Sequence, residues 1–338
     1  EPYRRQRQMC IRDSHKLVKD ADYRSDITLP IDDFFKFDKK ALVSATPIEL
    51  NDPRFKEQNF QTIEIQPTFD YKKEIWLHHT NNTLQAFKNV LSKLNNEEAA
   101  PLPICVFINS TDIIYSLMKQ LDLLEESAVF CAPKSVDKLK KNRFCNVYEQ
   151  WNKDKMRRYT FFTSRFFNAV DMELEEQPHV IMLTDVYFAE HTMIDPYTDA
   201  IQIVGRFRNG VSSITYISNT KKGLPQRSKE EIKGYLICSK EIYRTMKNFY
   251  DCATDRASRD AYRAALESLP FNRMLDRNGN KNWFAIDNYM DEELMKNYFH
   301  DEDSLYKAYD NCDSFIVYHA GHLSLIHISE PTRLGMIS

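Results

Sequence analysis

Glycine is scarce in this sequence, at seven in 338 residues, well below a usual share of about 7%. Folds that depend on many left-handed turns or glycine-rich loops are therefore excluded, and each glycine's position becomes informative. Gly205 and Gly210 fall close together. No apolar run approaches the roughly 18 residues that a membrane helix needs, and no secretory signal pattern is visible. The seven cysteines, among them Cys105 and Cys131 inside apolar runs, include no C-x-x-C pair and no metal-like spacing with histidine. Their odd number and apolar settings exclude a disulfide framework and point to buried, reduced thiols in a cytoplasmic protein. An excess of basic charge is also missing, because 46 Lys and Arg face 49 Asp and Glu. Any nucleic-acid site must then be a local patch rather than a property of the whole surface. Finally, no G-x-x-x-x-G-K-[S/T] loop occurs, so the sequence lacks the backbone cradle that such a loop makes for phosphates.

What is present is a globular composition, 42% hydrophobic and 28% charged, enough for one large domain or two ordinary ones. The two ends differ from the rest. Residues 1–14 and 323–338 resemble translated sequencing-adapter read-through at the edges of metagenomic reading frames, and neither shows a periodic apolar face. They are set aside from fold reasoning, which leaves about His15 to His322.

Between them, short apolar runs alternate with helical patterns. ALVSAT (41–46) reads as a buried strand stopped by Pro47. TIEIQP (62–67) alternates at period two, and EIWLHHT (74–80) follows. In 82–94 the apolar residues Leu84, Phe87, Val90, Leu91 and Leu94 recur at helical spacing, with Asn81 or Asn82 as N-cap. Strands are then expected at 103–110, 128–132, 159–164, 179–185 and, last, 213–219. Helices are expected at 111–124, 135–151 and 198–208. Continuous apolar strands separated by helices predict an α/β fold with a parallel sheet covered on both faces. Beyond Thr220 a charged connector leads to mainly helical stretches at 228–268 and 291–311, which predicts an appended helical extension. Trp76, Phe107 and the aromatics at 161–167 are expected in the core, and MELEEQ (172–177) as a solvated turn. His78 and His79 lack the partners a metal site needs. The basic residues Lys134, Lys138, Lys140, Lys141 and Arg143 fit a solvated helix face, with a nucleic-acid backbone path as the alternative.

Four short patterns carry chemistry. In QIVGRFRNG (202–210), Gln202, Gly205, Arg206 and Arg208 put two fixed cations beside a backbone that can approach a ligand closely; arginine suits the charge that spreads over a transferring phosphoryl group. The bland alternative is an amphipathic helix whose arginines meet surface carboxylates. In TSRFFNAVD (163–171), Thr163 at a strand end suits phosphate contact, and Asp171 follows eight positions later. Ser44, Ala45 and Thr46 end a strand with small hydroxyls, and VFINS (106–110) ends one with Asn109 and Ser110.

In this order the four resemble motifs three, four, five and six of superfamily-two (DEAD/DEAH-like) helicases. The resemblance covers roughly residues 40–220. It departs from the family at Asn168 and Ala169, where arginine and glycine are usual, and at Arg208, which lies two rather than three residues after Arg206. His15 stands about thirty residues before Ser44, where the last letter of the family's acidic box would fall; the alternative is an ordinary surface histidine. Asp13 belongs to the adapter-like piece and is not counted as a metal ligand. The resemblance implies a RecA-like fold: a remnant of a first RecA-like domain (15–67), a second one (68–220) and the helical extension (221–322). It implies ATP hydrolysis coupled to movement on DNA or RNA, with ATP and Mg²⁺ bound mainly by a first domain missing here and no metal ligand in this chain. Arg206 and Arg208 would stabilise the γ-phosphate and Gln202 would sense nucleotide. Gly205, Asp171, Ser44 and Thr46 would help bind ATP or couple the sites, while Thr163, Asn109 and Ser110 would lie near the strand. The alternative is a non-catalytic RecA-like scaffold or interaction module of a phage or mobile element.

Overall fold

Apolar runs of four to seven residues form most strands of this chain, and amphipathic runs between them form its helices. The computed structural model describes residues 8–21, 30–96, 101–168, 170–276 and 278–320. In chain order the strands are β1 (Gln8–Arg12), β2 (Lys39–Val43), β3 (Lys73–His79), β4 (Ile104–Phe107), β5 (Ser127–Phe130), β6 (Val147–Tyr148), β7 (Tyr159–Phe162), β8 (His179–Thr184), β9 (Ser213–Ser218) and β10 (Phe315–His319). The helices are α1 (His15–Lys19), α2 (Pro30–Phe34), α3 (Pro53–Glu57), α4 (Thr83–Asn95), α5 (Thr111–Gln120), α6 (Pro133–Lys141), α7 (Asp199–Gly205), α8 (Lys229–Cys252), α9 (Arg256–Ser268), α10 (Trp283–Met295) and α11 (Glu302–Asp310). They divide into two compact units, 1–66 with 225–297 and 67–224 with 298–338.

The second unit holds an eight-stranded sheet in the order β10-β3-β9-β8-β4-β7-β5-β6, with every pairing parallel. Every residue of β4, β5, β7 and β8 is buried, as strands covered on both faces must be. Helix α4 begins where the Asn82 side chain accepts from the Gln85 N–H at 3.0 Å, satisfying one of the free donors of a helix start. It turns Phe87, Val90 and Leu91 onto the sheet, where Ile113, Leu117 and Ile181 join them. This is the α/β architecture the alternation implies, a RecA-like parallel sheet flanked by helices.

In the first unit β1 and β2 pair in parallel over a core of Leu17, Val18, Phe34, Phe55 and Phe284. Helix α8 opens with a capping box between Ser228 and Glu231, and Ile232 and Leu236 pack on Phe271, Met274 and Met290. Two side-chain ties hold α10 to the early residues: Lys19 to Asp291 at 2.7 Å and Asn51 Nδ2 to Asp287 Oδ1 at 2.8 Å.

Several expectations change. TIEIQP forms no strand; Ile63 and Ile65 are 82% and 87% exposed, because no neighbouring strand takes up their pattern. Helix α6 stops at Lys141, where Arg143 adopts φ 63°, and Val147–Tyr148 becomes an edge strand instead. The strand at 213–219 is not the last, since β10 pairs with β3. The helices expected beyond Thr220 are present as α8 to α11; 225–297 group with the first unit and 298 onward with the second. Phe107, Phe161, Phe162, Phe166 and Phe167 are buried, but Trp76 is 45% exposed and stacks on Tyr318 at 4.8 Å. The adapter-like N-terminal piece contains β1, whose Met9 and Ile11 lean on the core at period two. Residues 323–338 lie outside the described residues. No helix among the described residues is long and apolar enough to cross a membrane.

Candidate functional site

The expected helix over 198–208 ends early, and that ending shapes the site. Helix α7 closes at Gly205 with Arg206 as its C-cap, so neither arginine sits on a helix face. The segment leading into β9 then runs beside the one leading into β8. Met172 N–H donates to Arg206 O at 2.7 Å, and Arg208 N–H to Met172 O at 3.2 Å. Asn209 Nδ2 donates to Leu174 O at 2.7 Å, and Gln177 Nε2 to Asn209 O at 2.8 Å. MELEEQ is therefore not a wholly solvated turn: Met172 and Leu174 are buried and anchor it beneath exposed carboxylates.

This pairing gathers Asp171, Gln202, Arg206 and Arg208. Arg206 Nη1 donates to Asp171 Oδ1 at 3.2 Å, Nη2 to Gln202 Oε1 at 2.6 Å, and Nε to Gln202 O at 3.3 Å. Arg208 Nη2 reaches both Asp171 oxygens at 2.9 Å. The Arg206 side chain is 12% exposed and that of Arg208 51%, so the first is held while the second remains wetted. Two cations thus share one carboxylate. Gly205 meets no neighbour that a Cβ would touch, so this unit itself does not require a glycine there. Gly210 does face one: its φ is +87° and a Cβ would lie 3.0 Å from Gln177. Ala169 lies outside the described residues.

Asn109, Ser110 and Thr163 form a separate group at the carboxyl ends of β4 and β7. Asn109 Nδ2 donates to His191 O at 3.0 Å, and its Oδ1 accepts from Ser164 N–H at 3.4 Å. Ser110 caps α5, accepting from Ile113 N–H at 3.4 Å. Thr163 N–H continues the sheet by donating to Phe130 O at 3.1 Å.

In the first unit, Ser44 and Thr46 follow β2. His15 Nδ1 lies 2.9 Å from Ser44 Oγ, and Ser44 Oγ accepts from Thr46 N–H at 3.1 Å. His15 is 2% exposed and Thr46 also 2%; the surface-histidine alternative fails because α1 turns the ring inward. The parallel register of β1 and β2 puts Arg12 opposite Val43, which is what carries both strand ends to one place. Asp13 lies 3.6 Å from Lys16.

Asp185 belongs to none of the four patterns. It is 3% exposed and accepts from Thr83 Oγ1 and Asn219 Nδ2, each at 2.8 Å, and from Phe188 N–H at 3.1 Å. Three donors repay its desolvation and join the ends of β8 and β9 to the start of α4. Its only sequence signal is an acid closing an apolar strand. The basic residues at 134–143 are all exposed or half-exposed, and Lys138 pairs with Asp112 at 2.6 Å, as a solvated face does. Among the described residues no group of three or more His, Cys, Asp or Glu is arranged to hold a metal. No family model and no curated protein matches the chain.

Proposed function

We propose that this chain is part of a cytoplasmic ATP-dependent nucleic-acid helicase or translocase, supplying the arginine side of an ATP cleft and part of the strand path. The observation that supports it is the ion-paired cluster of Asp171, Arg206 and Arg208 with Gln202. The patterns resembling motifs five and six are distant in sequence, yet their polar residues meet. The His15–Ser44 pair adds to it, since it joins the position expected for the acidic box to the pattern resembling motif three.

In this reading Arg206 and Arg208 face the γ-phosphate of ATP, whose charge in transfer spreads over its outer oxygens. Gln202 fixes the Arg206 fork, so little orientation is left to be gained when phosphate arrives. Asp171 exchanges partners with the phosphate and passes the change to the turn that begins at Thr163. Magnesium would be held with the phosphates by residues outside this chain. Because the sequence has no phosphate-cradling glycine loop, the purified chain is expected to hydrolyse no ATP alone.

The test is Arg206→Ala and Arg208→Ala, each made in the full-length gene, with strand-stimulated ATP turnover as the readout. Turnover should fall by about a thousandfold for the arginine that faces the phosphate. Unchanged turnover in both variants overturns the proposal; intact biological function despite lost turnover would favour a scaffold.

A further inference from the structure

The large sheet ends in two unlike edges. At one, β6 is two residues long and its Val147 is buried, which leaves little backbone to pair. At the other stands β10, bonded to β3 on one side only. Its sequence, FIVYH, holds none of the devices that keep a strand edge from pairing, neither a lysine nor a proline. Its register with β3 runs unbroken from Phe315 to His319, so no bulge turns it away.

The bonding to β3 fixes which backbone groups of β10 face outward. Lys73 N–H donates to Ser314 O and Ala320 N–H to Leu77 O, each at 3.0 Å. In a parallel ladder one residue turns its N–H and C=O to one side, and the next residue turns both to the other. Residues 314, 316, 318 and 320 therefore bond β3, while 315, 317 and 319 face the open edge. The Phe315 N–H is taken by Cys312 O at 3.1 Å. That leaves the Phe315 carbonyl and both backbone groups of Val317 and His319, which have no backbone partner among the described residues. One face of the sheet beside this edge is apolar and open: Ile316 and Tyr318 are exposed there, and Tyr318 stacks on exposed Trp76.

We infer that β10 is a docking edge for a second copy of this chain, paired antiparallel about a two-fold axis at Val317. A closed pair of identical edges is antiparallel, because parallel pairing needs a one-residue offset that a two-fold does not allow. About that axis Val317 and the partner's Val317 exchange N–H···O bonds, and each His319 N–H reaches the other copy's Phe315 carbonyl. The same axis sets Ile316 directly opposite the partner's Tyr318 on the open face. Aliphatic and aromatic side chains facing each other across an antiparallel pair attract, and both leave water. Backbone and side chains of this edge thus complement themselves, which favours a second copy over an unrelated strand. The contact is smaller than obligate interfaces, which bury more than about 2,000 Å², so the pair exchanges with monomer at micromolar concentrations. It needs neither ATP nor nucleic acid.

The experiment is sedimentation equilibrium of the full chain from low-micromolar to several-hundred-micromolar concentration, where a reversible monomer–dimer equilibrium is expected. Val317→Pro removes an outward N–H and leaves the bonds to β3 in place, as proline is accepted on an edge strand. It should weaken the dimer about tenfold or more. Ile237→Lys, at an exposed site of α8, should leave the dimer unaltered. Register is tested by mixing Ile316→Cys with Tyr318→Cys under mild oxidation. Opposite residues of a non-hydrogen-bonded pair lie close enough for a disulfide, so the mixture should crosslink faster than either variant alone. The exposed Cys10, Cys145, Cys238 and Cys252 give the same background in each. A chain that stays monomeric throughout overturns the inference, as does a dimer that keeps full strength in Val317→Pro or is lost equally in Ile237→Lys. Should Val317→Pro fail to fold, the mixed crosslink decides, and no gain over the single variants overturns the pairing.

Discussion

Asp171 meets Arg208 with both carboxylate oxygens at 2.9 Å while one of them also takes Arg206 at 3.2 Å. The two arginines are unequal in what else holds them. Arg206 is 12% exposed and makes two further bonds to Gln202, whereas Arg208 is half in water. Arg206→Ala should cost about 2 kcal/mol of stability, since it removes a largely buried guanidinium together with its bonds to Gln202 and Asp171. Arg208→Ala should cost less than about 1 kcal/mol, as exposed pairs do. Urea unfolding midpoints of the two variants check this; equal midpoints would place both side chains in the same surroundings.

The difference between those arginines was not visible in the sequence, and the reason is general. Period and composition disclosed β4, β5, β7, β8 and β9, because a parallel strand covered on both faces must be apolar throughout, and the starts of the helices between them. β3, whose buried residues alternate with exposed ones, was read from its short apolar pattern instead. Strand order is a matter of long-range pairing, so the order β10-β3-β9-β8-β4-β7-β5-β6 could not be read. TIEIQP shows the reverse failure: alternation suits a strand, but only a neighbour makes one. β10 was missed because Ile316 and Tyr318 are exposed at the edge and resemble the aromatic-rich tail around them. The early end of α7 follows from backbone bonding of Arg206 and Arg208 to Met172, a contact across more than thirty residues. Asp171, Gln202, Arg206 and Arg208 were named from the resemblance to motifs five and six; their meeting required that contact.

Asp287 provides a pH test of the first unit. Burial raises its carboxyl to about 6, against the opposing pull of its bonds from Asn51, and the nearby Asp52 and Glu49 carboxylates raise it further. A raised acid binds more protons folded than unfolded, so its contribution is fully present below the unfolded value near 4 and is lost as pH rises through about 6. Glu49, lowered by its bond from Lys229, works in the opposite sense. The comparison is therefore between the unaltered chain and Asp287→Asn. From pH 4.5 to 7 the unaltered chain should lose on the order of 2 kcal/mol relative to the variant. Parallel stability curves would show that Asp287 is solvated.

Ser44 accepts the Thr46 N–H and lies within bonding distance of the His15 ring. Removing its hydroxyl leaves both partners short in a setting where Thr46 and His15 are buried. Ser44→Ala should destabilise the first unit by about 1–2 kcal/mol and shift the His15 ring resonances in a proton–nitrogen NMR spectrum. An unmoved His15 signal would mean that the two strand ends are not joined through this hydroxyl.

Phe162 is the last residue of β7 and sets the direction in which Thr163 and Arg165 leave the sheet. It is fully buried, stacked on Phe107 at 4.9 Å and on Phe130 at 5.4 Å, with Trp151 at 5.8 Å and Phe166 at 6.1 Å. Phe162→Ala should cost about 3–5 kcal/mol, because four rings cannot close the space it leaves. Phe162→Leu keeps more of the volume and should cost about half as much. Arg165, three residues on and exposed, should behave oppositely: Arg165→Ala ought to leave the unfolding midpoint within about 0.5 kcal/mol of the unaltered chain. Calorimetric or urea midpoints of the three variants decide the matter. A large loss from Arg165→Ala would show that its guanidinium supports the fold, and a small one from Phe162→Ala that the aromatic stack does not hold the turn.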